Sequence, residues 1–154
     1  MTDGPWRAVD EFLAFVEATE PAQRAEVPQL IRLLDRLAAA VPFERVDDAP
    51  ETERSPPEQP DLRAQLDRRF PEFWFYATAT PLADDGRPAL GETGCADAID
   101  DLLDIGRDLR DARWYRDHGE PGDGERYLAQ MFRNHWGRHL RDLQSFLHQF
   151  VFGG

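Results

Sequence analysis

The chain has no lysine: all 18 of its basic residues are arginine. Schiff-base chemistry and lysine general-base chemistry are thereby excluded. Cysteine occurs once, at Cys95, so neither an intrachain disulfide nor a cysteine-based zinc cluster can form. Its position reads as a small residue opening an amphipathic helix. No apolar run approaches the ~20 residues of a membrane span. The opening Met1-Thr2-Asp3-Gly4-Pro5-Trp6-Arg7 lacks the basic-then-apolar order of a secretory signal. A soluble, cytoplasmic protein is expected. Glycine patterns for dinucleotide or P-loop binding are absent, as is any internal repeat.

Positive charge is also scarce. Against 18 basic residues stand 30 acidic ones, giving −12, which argues against nucleic acid as a partner because phosphate contacts need a basic patch. The same surface suits a basic partner or a divalent cation.

What is present is helical periodicity. At 154 residues the chain fits one domain, 1–154. Trp6, Val9, Phe12, Leu13 and Val16 form one stripe behind Pro5, with Thr2 or Asp3 as cap. Val27, Leu30, Ile31, Leu34, Leu37 and Val41 form a second, stopped by Pro42. Pro28 inside it implies a kink, or a break after a short lead-in turn. Residues 44–60 are rich in proline and acid and read as an exposed, mobile loop. Asp61 then caps a short helix carrying Leu62, Leu66 and Phe70. In the aromatic run Phe70-Pro71-Glu72-Phe73-Trp74-Phe75-Tyr76 alternation would allow a strand. With no partner strand in view, the expectation is an irregular or helical segment plugging its rings into the bundle. Residues 81–94 read as a second exposed loop. A helix over 95–117 and a long one over 124–151, turned at Gly119–Gly124, complete an all-α, up-and-down bundle of four main helices plus a short fifth.

Chemistry concentrates on the last two helices. His135 and His139 lie one turn apart on one face, and Asp97, Asp101, Asp104 and Asp108 recur at helical spacing on the preceding helix. Two imidazoles facing carboxylates across a bundle make a candidate site for a divalent transition metal: His135 and His139 with Asp101 and Asp108 as ligands. Zinc, iron or manganese suits such a set. The glutamate of the hydrolytic zinc motif is missing, its place taken by Trp136. The competing reading is structural: a solvated aspartate face, one or two members of which accept hydrogen bonds from His135, His139 or Arg138 and tie the helices together. Asp104, Arg107 and Trp136 are the further candidate ligand-contacting residues, although Trp136 also fits the core. Gly137 reads as a packing contact for a neighbouring helix or for the ring of Trp74 or Trp114. The Arg107, Arg110, Arg113 and Arg116 series reads as intrahelical pairing with interspersed aspartates.

Asp101-Leu102, Asp104-Ile105 and Arg107-Asp108-Leu109 on one helix, and Phe132, His135-Trp136-Gly137, His139, Leu143 and Leu147-His148 on the next, resemble a family of small bacterial helical proteins known only as a domain of unknown function (DUF5063). The resemblance spans roughly residues 70–150. It implies a helical fold and a bacterial cytoplasmic setting, with Gly106 leaving space beside the histidine face, and no activity. Arg133-Asn134 followed by His139 is also similar to the short signature of HEPN ribonucleases, helical dimers whose Arg and His act on RNA. That reading sits poorly with the −12 charge.

The primary expectation is a partner- or ligand-binding module, with a metal-binding protein as the alternative and an RNase as a lesser one. A protein partner or a homodimer is suggested by Phe146, Phe150 and Phe152, more aromatic surface than one helix face needs to bury.

Overall fold

The computed structural model describes residues 3–78, 83–87 and 94–153. Helix α1 (Trp6–Val16) begins behind Pro5 and buries Val9, Phe12, Leu13, Phe15 and Val16. Before the second helix, Gln23 and Glu26 close a reciprocal cap around a single 3₁₀ turn, Arg24–Glu26. Helix α2 (Val27–Ala40) follows with Pro28 in its first turn. A proline there lacks only an N–H that has no helical partner anyway, so the sequence break is a lead-in turn and not a kink. Helix α3 (Leu62–Arg69) is the short fifth.

Helix α4 (Ala98–His118) is capped by Asp97, whose carboxylate accepts the Ile99 N–H at 2.9 Å. Helix α5 (Asp123–Met131), a π turn at Phe132–Trp136 and helix α6 (Gly137–Phe152) form one continuous rod. Helices α1 and α6 each pack on both α2 and α4, closing a four-helix ring. The α2-to-α4 connection therefore crosses the bundle diagonally, and its length allows it to do so. Leu34, Leu102, Ile105, Trp136, Leu140, Leu143 and Leu147 are fully buried along the ring's interior. Among the described residues, no helix is long and apolar enough to cross a membrane.

Several sequence expectations change. Residues 75–78 have a partner after all: β1 (Phe75–Thr78) pairs antiparallel with β2 (Gly94–Asp97), Phe75 opposite Asp97 and Thr78 opposite Gly94. This takes Gly94 out of the second loop and delays the α4 start to Ala98. Cys95 becomes an exposed strand residue rather than a helix opener. The β2 segment holds no strong β-former, so the pairing left no signal in the sequence. Phe70 and Phe73 do plug into the core, but Trp74 and Phe75 stay exposed. Of the second loop, 83–87 turns tightly at Gly86, whose φ is 79°. Residues 81–82 and 88–93 lie outside the described residues, as does Thr2.

The 44–60 loop is fastened. Asp123, fully buried at the start of α5, accepts backbone N–H groups from Glu51 at 2.7 Å, Thr52 at 3.0 Å and Glu120 at 3.0 Å. It also takes Arg126 at 2.9 Å. Farther along, Gln59 donates to Asp111 at 2.9 Å, and Asp47 pairs with Arg133. A loop with almost no apolar side chains is thus held by its backbone, through a carboxylate distant in sequence.

Candidate functional site

Two features place the histidines. One is the stripe on α4, where residues 101, 104 and 108 share the flank facing the α5–α6 rod. The other is the π turn. Gly137 donates its N–H to the Phe132 carbonyl, five residues back. A Cβ on Gly137 would lie 2.2 Å from that oxygen and 3.0 Å from the Phe132 ring. Glycine is needed here by its own helix, and not by a neighbouring helix or by Trp74 or Trp114. The widened turn sets His135 beside His139, ring centroids 4.9 Å apart and nearly perpendicular at 74°. π turns recur at functional sites.

The geometry between the helices is close to symmetric. His135 Nδ1 lies 2.7 Å from Asp108 Oδ2, and His139 Nδ1 lies 2.8 Å from Asp101 Oδ1. Both remaining nitrogens face Asp104: His139 Nε2 at 3.3 Å and His135 Nε2 at 3.9 Å. Asp101 and Asp108 are nearly inaccessible, with side-chain exposures of 3% and 8%, whereas Asp104 keeps 27%. Asp101 and Asp108 are thus the two members of the stripe that accept hydrogen bonds from the histidines, the arrangement the structural reading of the sequence described, and of the three only Asp104 keeps substantial exposure. Asp97 leaves the stripe altogether, capping α4 and pairing with Arg63 at 3.1 Å.

Burial pushes the Asp108 carboxyl up to about 6, although the hydrogen bond from His135 opposes it. The hydrogen bond to Asp101 raises His139 above its ordinary 6.5, against burial and helped by the Asp104 charge. Asp101 is bonded a second time by the Tyr76 hydroxyl of β1. Burial, then that bond, raises the Tyr76 phenol, so Tyr76 is a proton donor at any ordinary pH. Sequence reasoning missed Tyr76, because only the hairpin brings β1 over α4. Replacing it by Phe keeps the ring against Phe146, 5.2 Å away, and removes only the bond to the buried carboxylate. Urea unfolding of Tyr76→Phe is expected to show a loss of about 1–2 kcal/mol.

The remaining candidates disperse. Trp136 is fully buried and its indole N–H donates to the Leu128 carbonyl at 3.0 Å, so it belongs to the core and presents no exposed surface. Gly106 faces Leu62 of α3, where an added Cβ would lie 3.4 Å from a leucine methyl, and it opens no space beside the histidines. Arg133 pairs with Asp47 while His139 pairs with α4, so the two halves of the ribonuclease-like signature have separate partners. The α4 arginines reach across helices: Arg110 to Glu17 at 2.7 Å, and Arg113 and Arg116 to Asp10 at 3.7 and 3.6 Å. Arg116 alone adds a local pair, with Asp117. Phe146 and Phe150 pack on Phe73 at 5.3 and 5.5 Å, which removes the sequence motive for an aromatic interface at those two rings. Phe152 stays exposed.

One ring nitrogen each from His135 and His139 and one Asp104 oxygen lie within 4.8 Å of one another. Among the described residues this is the group of three or more potential ligands that could hold a metal ion.

No family model matches the chain, and no curated protein matches it significantly. Among solved structures it is similar to protein BF1032 from Bacteroides fragilis, at a TM-score of 0.66 and 20% identity, covering 98% of this chain and 92% of that one. At that identity the likeness is one of fold, and it extends over nearly the whole length of both chains.

Proposed function

We propose that this chain is a divalent-metal-binding helical protein, with His135 Nε2, His139 Nε2 and Asp104 as ligands. This makes the ligand-binding expectation specific, and it moves Asp101 and Asp108 from ligands to supports. The observation that carries it is the orientation of both rings. Each Nδ1 is engaged by a buried carboxylate, which fixes Nδ1–H and leaves the Nε2 lone pair aimed at Asp104. Metal-binding histidines ordinarily donate their other nitrogen to a carboxylate in this manner.

The donor set, two imidazoles and one carboxylate, suits zinc, iron(II) or manganese(II). Tetrahedral zinc at ~2.0–2.1 Å from each ligand spaces them about 3.3 Å apart. Side chains already within 4.8 Å reach that by small rotations about χ angles. The acidic surroundings, three aspartates on one flank, lower the cost of bringing in a cation. The setting we infer, from the family resemblance and the lone cysteine, is the bacterial cytoplasm.

Calorimetric titration of chelator-treated protein with Zn²⁺ and Mn²⁺ tests the reading. Saturable one-to-one binding is expected, abolished in Asp104→Ala and in His135→Ala/His139→Ala. Asp101→Asn and Asp108→Asn are expected to weaken it by about 10–100-fold, the usual effect of disturbing an outer carboxylate. Binding that is unchanged by Asp104→Ala contradicts the assignment.

One observation favours a second reading. The raised His139 basicity and the Asp104 oxygen 3.3 Å from its Nε2 also suit a proton at that position, with the imidazolium pinning α6 to α4. In that case no metal binds, and the double histidine variant is only less stable.

A further inference from the structure

We propose that the groove beside this centre binds a small organic oxyanion, a carboxylate or phosphate ester on an apolar body, held between the metal and the Arg107 guanidinium. The proposal rests on the metal reading above. A groove of about 420 Å³ lies between β2 and α4, its lining made of apolar Phe75, Ala96 and Leu103 together with polar groups that include Asp104, His139 and Arg107. That volume suits a small molecule, and so does an apolar wall faced by a few convergent polar groups.

The charges decide the sign of the ligand. Asp97 and Asp100, at one end of the groove, are both taken by Arg63. Asp101 is taken by Tyr76 and His139. Asp104 is committed to the histidines and the cation. Asp111, one turn beyond Arg107, accepts from Gln59 and Tyr127 and feels the Arg107 charge without forming an ion pair with it. Among the described residues Arg107 makes no ion pair, whereas Arg110, Arg113 and Arg116 of the same helix all do. The groove thus offers one uncommitted planar cation, the geometry that carboxylates and phosphates match.

Three protein ligands leave at least one coordination position open on zinc, and more on a six-coordinate metal. His139 and Asp104 both line the groove, so a metal held by them would lie at its wall, within reach of a ligand there. Phe75 supplies the surface for the apolar body: it is 62% exposed, although Phe146 and Phe150 one layer away are packed. An oxyanion bound this way bridges the metal and Arg107 along α4, with its body on the hairpin.

The test uses tag-free protein loaded with zinc, its metal content measured before any anion is added. Benzoate and phenyl phosphate are then titrated calorimetrically, with benzyl alcohol as the neutral comparator. At least one anion is expected to bind saturably and the alcohol not. Arg107→Gln is expected to keep its zinc and to bind that anion about 10–100-fold more weakly, and metal-free protein is expected to lose it likewise. Three results overturn the proposal with zinc in place: neither anion binds, Arg107→Gln binds as well as wild type, or metal-free protein binds as well as loaded protein. Protein that takes up no zinc is loaded with iron(II) or manganese(II) instead, and protein that takes up none of the three fails at the first step, which overturns the metal reading itself and this proposal with it.

Discussion

Asp123→Ala is expected to destabilise the protein by about 3–5 kcal/mol in urea or thermal unfolding, although the residue is far from the histidines; removing one member of a buried, charge-bearing network costs that much. Its carboxylate is fully buried and accepts the Glu51, Thr52 and Glu120 N–H groups together with Arg126. An alanine leaves those part-buried donors without their acceptor. Each lost hydrogen bond to a charged group costs about 1.5–3 kcal/mol, and water reaching the exposed Glu51 and Glu120 backbone restores part of it. Asn retains one acceptor and should fall between wild type and Ala. The pH dependence has a definite sign. Burial alone would raise the Asp123 pKa, but the backbone N–H groups and Arg126 outweigh it and hold it below the ordinary 3.8. A carboxylate depressed in the folded state contributes stability that is present above its unfolded pKa, about 3.9, and is lost as pH falls through the folded value. Wild type should therefore lose stability steeply in acid below that range, and Asp123→Ala should show a shallower acid slope.

Gly137→Ala is the second large effect. Its Cβ would sit 2.2 Å from the Phe132 carbonyl oxygen, a separation that the π turn cannot keep. Either the turn distorts, at a cost of about 2–4 kcal/mol by the scale of strained backbone and overpacking, or it relaxes to an ordinary α turn. Relaxation removes one residue from the turn and rotates what precedes it by about 100° relative to α6. His135 then leaves Asp108 while His139 stays on Asp101. Unfolding midpoints together with zinc titration check this: lower stability and weaker zinc binding are both expected. Gly106→Ala is the control, because its Cβ would meet only a Leu62 methyl at 3.4 Å, an ordinary contact, and helix propensity favours Ala by about 1 kcal/mol.

The helices were legible because their apolar stripes repeat at 3.6 residues: the stripe members from Val9 to Val16 and from Trp136 to Leu147 are buried, as are Leu30, Leu34 and Leu37, with Ile31 partly buried at the edge. His135 and His139 facing Asp101, Asp104 and Asp108 was legible for the same reason. The division of labour among those aspartates was not. Which carboxylate meets Nδ1 and which meets Nε2 depends on ring rotation and on the π turn, and the local sequence marks the turn only by Gly137. Tyr76 and the hairpin were hidden because so short a pairing between segments distant in the chain has no periodicity to read. The clasp at Asp123 was hidden for a related reason, since its partners are backbone groups and any residue type could supply them.

Everything proposed for the site depends on a metal at His135, His139 and Asp104. Elemental analysis of protein purified without a polyhistidine tag or chelator tests it most directly, with Asp104→Ala and His135→Ala/His139→Ala prepared in parallel. Near-stoichiometric zinc, iron or manganese is expected in wild type, and its loss from both variants. Wild-type protein that carries no metal and takes up none on addition of zinc, iron(II) or manganese(II), while the double histidine variant is merely less stable, would contradict it and leave His135 and His139 as a structural lock between α4 and the α5–α6 rod.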